Sequence, residues 1–322
     1  MPASSVGHVP TGTRPPCVLG PLGFRQPCTN ELTDGTTGRL CLTFATLSSK
    51  VGSTAVDLAH ARSLLFAPGS DERKLRSALA SGADAVVADL EDAVAPAQKG
   101  AARELVAVLR PPVVRVNGAD TEWFADDLAL VRELQPDAIV LPKATPDAVA
   151  TLGPDGPPVV AIVETAAGVR SSYDTAASAR VAALLLGAVD LGAELGLEPR
   201  PDGLELLFAR SQVVIDSTAA GIRPPFDIVH LEVSDARGLE EECRLARSLG
   251  FRGKACIHPS QLDVVHRVFA PSDDEIEWAR RVVDAYEREA GEGRGVFALN
   301  GAMVDLPVVE RARRILAEAE RS

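Results

Sequence analysis

The sequence predicts a (β/α)8 TIM barrel of the α/β class, followed by a C-terminal helical appendage. From Arg62 onward, eight short apolar runs alternate with amphipathic stretches: Ser63 to Ala67, Ala85 to Leu90, Val113 to Val116, Ala138 to Leu141, Val159 to Val163, Val181 to Leu186, Phe226 to Leu231 and Gly253 to Ile257. Several of these runs read as strands buried on both faces, the signature of a parallel sheet covered by helices. The intervals carry helix signals, such as Asp71-Glu72-Arg73-Lys74-Leu75 and Leu239-Glu240-Glu241-Glu242-Cys243, with acidic starts and apolar residues at helical spacing. An open doubly wound sheet is the other architecture with this alternation, but it usually has fewer strands, and no G-x-G-x-x-G follows the first run.

The 322 residues, 46% of them hydrophobic, suffice for one large core, and barrels of this length are commonly a single domain. Residues 61–270 are read as the barrel. Residues 271–322 form the appendage, opened by the capping-box-like Ser272-Asp273-Asp274-Glu275 and ending in a helix from Val308 to Glu320. Residues 1–60 hold Pro, Gly, Ser and Thr clusters with little periodicity and are read as a disordered leader.

A net charge of −12 repels polyanions, which argues against nonspecific binding to nucleic acid or to an acidic membrane surface. Any phosphorylated ligand must therefore meet a local basic patch. The five cysteines are odd in number and show no zinc spacing, so neither a disulfide framework nor structural zinc is expected. With no membrane-span-length apolar stretch and no secretory signal pattern, a soluble cytoplasmic protein is expected.

The ends of the strands carry the chemistry, because a barrel gathers its strand termini into one mouth. Glu164 ends the fifth run and Asp190 follows the sixth, each a single carboxylate after an apolar strand. One such residue is ordinarily the first polar residue of a loop; two at equivalent places suggest a divalent-metal site. Asp89, Glu91 and Asp92 follow the second run, Arg115 and Asn117 the third, and Lys143 the fourth. The three acids fit either caps and ion-pair partners of Arg62 and Arg115, or acid chemistry. A Schiff-base role for Lys143 needs a desolvated amine, and the surrounding acids would keep it charged. Arg73 and Lys74, in the first helix, are candidates for the local basic patch, or simply helix-surface charge. His258, after the eighth run, stands where barrels often bind phosphate, although a lone histidine is more often structural.

Taken in order, Arg62 to Ser70, Asp89-Leu90-Glu91-Asp92-Ala93-Val94, Val114-Arg115-Val116-Asn117-Gly118, Val163-Glu164-Thr165, Gly187-Ala188-Val189-Asp190-Leu191 and Ala255-Cys256-Ile257-His258-Pro259-Ser260-Gln261 resemble the citrate lyase β-subunit-like branch of the HpcH/HpaI aldolase superfamily. The resemblance runs from about Arg62 to the C-terminus. It implies a Mg2+-dependent lyase acting on coenzyme A (CoA) esters such as citryl-, malyl- or citramalyl-CoA and giving an acyl-CoA and a 2-oxo acid. It further implies a homotrimer or a dimer of trimers, with Glu164 and Asp190 as metal ligands and Arg62 and Arg115 as substrate-binding and catalytic arginines. Asn300-Gly301-Ala302-Met303-Val304-Asp305-Leu306-Pro307 resembles the family segment that reaches over a neighbouring subunit's mouth, which makes Asp305 the candidate acid/base. Read without that likeness, Asp305 before Pro307 is a helix cap. Two other readings stay open: a citrate lyase β subunit acting on an acyl-carrier-protein thioester, and a metal-dependent aldolase acting on free hydroxy-oxo acids, which the Asp305 segment disfavours.

Overall fold

The structure, a computed structural model, describes residues 55–291 and 295–321. Most of the predicted leader lies outside the described residues. Its last six are described, and they belong to the fold: the Val56 amide donates to Asp137, and Leu58 is buried beside the first strand.

The barrel is built from β1 (Ser63–Pro68), α1 (Glu72–Leu79), β2 (Ala85–Asp89), α2 (Lys99–Leu109), β3 (Val113–Arg115), α3 (Phe124–Leu134), β4 (Ala138–Leu141), α4 (Pro146–Ala150) and β5 (Val159–Val163). It continues through α5 (Ala166–Arg170), α6 (Ser172–Ala176), β6 (Val181–Leu186), α7 (Ala188–Leu195), α8 (Leu207–Ala219), α9 (Ala236–Leu249), β7 (Lys254–Cys256) and α10 (Leu262–Phe269). All seven strands pair in parallel, in the order β6-β5-β4-β3-β2-β1-β7. Registers such as Leu64↔Ala85 and Ala88↔Val114 send alternate residues to opposite faces of the wall. Leu64, Val87, Val140, Ile162 and Leu185 fill the barrel interior, while Leu65, Val86, Val114 and Ile139 pack outward against the helices. That double burial is why the runs carry so few polar residues.

The seventh predicted run, Phe226 to Leu231, is not a full strand. Phe226 bridges Leu185 and Asp227 bridges Lys254, so two residues close the ring between β6 and β7. Their backbones exchange bonds with Leu184, Leu186, Gly253 and Ala255 at 2.8–3.1 Å. Pro224 and Pro225 precede the bridge and bring no amide donors, which keeps pairing from starting earlier. Asp227 is fully buried and holds Arg210 and Lys254, each at 3.0 Å, so the seam rests on an ion cluster as much as on a ladder.

After the barrel come α11 (Asp273–Gly291), the hairpin strands β8 (Phe297–Leu299) and β9 (Ala302–Val304), and α12 (Leu306–Ala319). The expected capping box is present: the Ser272 amide donates to Glu275 at 2.9 Å, and the Glu275 amide to the Ser272 hydroxyl at 3.2 Å. Asn300 and Gly301, both left-handed (φ 51° and 82°), form the hairpin turn, a backbone suited to Asn-Gly. Ala279, Val282, Val304, Val309 and Ala312 give this appendage its own small core. Among the described residues, no helix is long and apolar enough to cross a membrane.

Candidate active site at the barrel mouth

Every barrel strand runs the same way, so the residues at or just beyond their carboxyl ends meet around one cleft of about 980 Å3. Asp89, Asp92, Arg115, Glu164 and Asp190 line it on one side, with Arg73, Lys74 and His258 at its rim. Predicted site residues from six separate segments are thus brought together.

Arg115 is held rigidly. Its Nε donates to Asp89 Oδ1 at 2.7 Å and its Nη2 to Oδ2 at 2.5 Å, while Nη1 lies 2.9 Å from Glu91 Oε2. The guanidinium also sits 5.3 Å from the centre of the Phe66 ring. Despite burial, these carboxylates raise the arginine's pKa further, so its charge is permanent. Two of its five N–H groups are hydrogen-bonded to Asp89, and those on Nη1 remain to be shared between the nearby Glu91 carboxylate and a substrate oxygen.

Glu164 is 4% exposed, and its Oε1 accepts the Lys143 amide at 2.7 Å. Burial, reinforced by the negative charges of Glu91 and Asp190, pushes its carboxyl up to about 7 against the opposing pull of that amide and of Arg115. The amide is presented by a left-handed Lys143 (φ 48°). Asp190 is placed in the first turn of α7, four residues beyond the strand end at Leu186, where a helix start favours an anion. Gly187 lies between them: a β-carbon there would fall 2.6 Å from Glu164 Oε2, so only glycine leaves this approach open.

This donor set fits a hard divalent cation. It is oxygen-only, burial and the neighbouring negative charges make ionised Glu164 costly, and a cation held there would relieve that cost while water and substrate oxygens complete its shell. No cluster of three or more acidic, histidine or cysteine ligands occurs among the described residues.

Lys143 bonds Glu91 through Nζ at 3.3 Å; burial alone would lower its pKa, but Glu91, then Glu164 and Asp190, raise it. It is a charged partner and not an amine nucleophile. The sequence reading missed Lys99. Its ammonium is buried under the second strand's loop and donates to the carbonyls of Leu90 and Glu91 at 2.6 and 2.8 Å and to Asn117 Oδ1 at 2.6 Å. It fixes the loop that carries Glu91 to the one that follows Arg115. The available signal was Lys99 five residues after the Asp89-to-Val94 motif, but a lysine opening a helix ordinarily reads as surface charge.

One expectation is corrected. Arg62 is not at the mouth: it precedes β1, its amide donates to Asp84 Oδ2 at 2.7 Å, and its carbonyl accepts from Lys254. It therefore sits on the floor, at the opposite end of the strand from Glu164, and does not line the cleft. Asp305, expected to act at a neighbouring subunit's mouth, does not line the cleft of its own chain; here it caps α12 by accepting the Val308 amide at 3.3 Å. His258 lines the cleft and caps the turn at Pro259–Gln261, its Nδ1 accepting the Ser260 amide. Cys243 and Cys256 are buried, with thiols pushed up to about 12 by burial, and supply no nucleophile.

A parallel barrel with carboxylates, an anchored arginine and a basic rim in its mouth is the architecture of a carbon–carbon bond lyase, and the C-C bond lyases of the TIM-barrel fold match residues 208–321. The HpcH/HpaI aldolase/citrate lyase family matches residues 62–152 and 154–259. The chain belongs to that family, in its citrate lyase β-like branch, and is a carbon–carbon lyase. It is 40% identical to a (3S)-malyl-CoA thioesterase of Cereibacter sphaeroides over 80% of this chain and 94% of that protein. It is 38% identical to the citrate lyase subunit beta of Escherichia coli over 81% of this chain and 94% of that protein. The solved structure of CitE from Mycobacterium tuberculosis in complex with magnesium, acetoacetate and coenzyme A superposes with a TM-score of 0.74 at 38% identity, covering 82% of this chain and all of that one.

Proposed function

We propose that this enzyme cleaves, or in reverse forms, the carbon–carbon bond of a 3-hydroxyacyl-CoA of the malyl-, citramalyl- or citryl-CoA type, giving an acyl-CoA and a 2-oxo acid. The observation that carries this reading is the juxtaposition, in one cleft, of the Glu164 and Asp190 carboxylates with the anchored Arg115 and the Arg73–Lys74 rim. The first group suits the oxo-acid half of the substrate, and the last suits the CoA phosphates. Magnesium, acetoacetate and CoA in the Mycobacterium tuberculosis CitE structure are consistent with it.

Mg2+ held by Glu164 and Asp190 would supply Lewis acidity toward the carboxylate and adjacent oxygen of the 2-oxo acid portion. In the cleavage direction, a base takes the hydroxyl proton, the carbon–carbon bond breaks as the C–O π bond of the oxo acid forms, and the bonding pair moves onto the thioester as an enolate. Arg115 stabilises that enolate oxygen with its remaining N–H groups, and Asp89 and Glu91 keep the guanidinium aimed. Protonation at the enolate carbon releases the acyl-CoA. Asp305 of a neighbouring subunit is assigned this proton traffic; Met303 and Leu306 beside it are exposed, as a segment reaching over another copy requires.

The test is to assay purified protein with Mg2+ against malyl-, citramalyl- and citryl-CoA, and against an acyl-carrier-protein thioester. Release of a 2-oxo acid with an equal amount of acyl-CoA supports the reading. Because the Cereibacter sphaeroides relative is named a thioesterase, hydrolysis is the second reading. It would release free CoA and the hydroxy acid, with no 2-oxo acid.

A further inference from the structure

The two carboxylates assigned to the metal come from different segments, Glu164 just past β5 and Asp190 inside α7, and Mg2+ tolerates little error in their separation. Each of them is bracketed by two ties. On one side, the Gly187 amide donates to the Val163 carbonyl at 3.0 Å, which joins the end of β5 to the residue that leads into α7. On the other, Glu194 Oε2 accepts the Ala166 amide at 2.9 Å, a bond spanning 28 residues of sequence. Glu164 therefore stands between Val163 and Ala166, and Asp190 between Gly187 and Glu194.

Helical periodicity makes the second tie possible. Asp190 and Glu194 are four residues apart on α7, so the face that turns Asp190 toward the mouth also carries Glu194 toward the loop after Glu164. Leu191 is buried and anchors the turn between them. Ala166 opens α5, and a first-turn amide has no acceptor inside its own helix. The Thr165 hydroxyl takes the Gly168 amide at 2.9 Å, which leaves the Ala166 amide to Glu194.

Nothing local calls for an acid at this position. Glu194 lies in the last turn of α7, which ends at Gly196, and a negative charge there opposes the carbonyl end of the helix. That turn holds no basic residue to compensate, so the bond to Ala166 is what offsets the cost. Glu194 is exposed and does not line the cleft, so any effect it has on the site passes through the segments it joins.

We propose that Glu194 is a positioning residue for the metal: by tying α7 to the loop after Glu164, it sets the separation of the Glu164 and Asp190 carboxylates. This rests on the assignment of those two carboxylates as the metal's ligands.

The test is titration of the full-length protein with Mn2+, a hard cation that takes oxygen ligands as Mg2+ does, with free Mn2+ read by electron paramagnetic resonance. Wild type should show saturable binding, and Glu164→Ala and Asp190→Ala should lose it. Glu194→Ala should bind about tenfold more weakly, the effect of removing a group that orients a metal ligand. Glu194→Gln, whose amide oxygen still accepts the Ala166 N–H, should bind as wild type does. At an exposed position, both variants should melt close to wild type. Wild-type affinity in Glu194→Ala overturns the inference, as does equal weakening in Glu194→Gln, which would make the effect one of charge. Those results leave the metal pair standing as long as the two ligand variants lose binding. Saturable binding retained in both ligand variants, or absent from wild type, instead overturns the pair, and this inference with it.

Discussion

Asp89 grips Arg115 at two points, Nε to Oδ1 at 2.7 Å and Nη2 to Oδ2 at 2.5 Å, across two adjacent strands that end at the same level. The pair converts a flexible side chain into a fixed donor. Lysine at 115 keeps the charge but has no fork to fill both Asp89 oxygens. Arg115→Lys should therefore lower kcat by about a hundredfold or more, and Asp89→Asn should produce a large part of the same loss by freeing the guanidinium. Steady-state kinetics on both decide it; near-normal turnover in Arg115→Lys would make the pair structural.

The carboxylates beside Gly187 predict a different signature. Glu164→Ala and Asp190→Ala should each abolish most Mg2+-dependent turnover while leaving the circular dichroism spectrum and melting temperature close to wild type. Full metal-dependent activity in Asp190→Ala would remove that residue from the metal site.

On the floor of the barrel, Arg62→Lys should leave kcat and KM near wild type, since the residue precedes β1 and does not line the cleft. Asp84 matters more there. It accepts the Arg62 and Ser63 amides and pairs with His266, and although burial opposes ionisation, these partners hold its carboxyl down to about 2 against an ordinary 3.8. A depressed carboxyl lends stability that is present above the unfolded value and is lost as pH falls from about 4 through about 2. Urea midpoints measured across that window should fall steeply for wild type and more shallowly for Asp84→Ala.

Asp305 caps α12 in its own chain, so a chemical role demands a second chain. Asp305→Asn should lower kcat strongly with little change in substrate or metal affinity, and asparagine retains the cap. Mixing inactive Asp305→Asn and Glu164→Ala subunits should restore part of the activity, because some sites then combine an intact aspartate with an intact metal pair. Dead mixtures, alongside recovered wild type taken through the same procedure, would sink the shared site.

Where strands are apolar on both faces, pattern alone located them: β1, β2, β4, β5 and β6 start at the predicted residues. Ile228, Val229 and Leu231 extend the same apolar pattern past Asp227, yet only Phe226 and Asp227 pair, because pairing depends on neighbours that periodicity does not report. Arg62 was misplaced although strand direction spoke against it, since a residue preceding a parallel strand belongs at the floor. Lys99 was missed for the opposite reason. Its burial comes from the β2 and β3 loops folding over it, and nothing local distinguishes it from a solvated lysine. Gly187, by contrast, stood in view between two carboxylates, but its purpose emerges only once Glu164 lies against it.

The two-residue closure at Phe226 and Asp227 has an evolutionary meaning. A full strand would tie each residue of that sector to a fixed partner, so that any insertion slips the whole register. Here the pairing ends at Asp227, and Val229, which faces the cleft, belongs to unpaired chain. Apart from His230, which Gln261 and Glu242 hold, this sector of the rim lies outside the ladder, so descendants of the same scaffold can reshape their substrate preference there without rebuilding the wall.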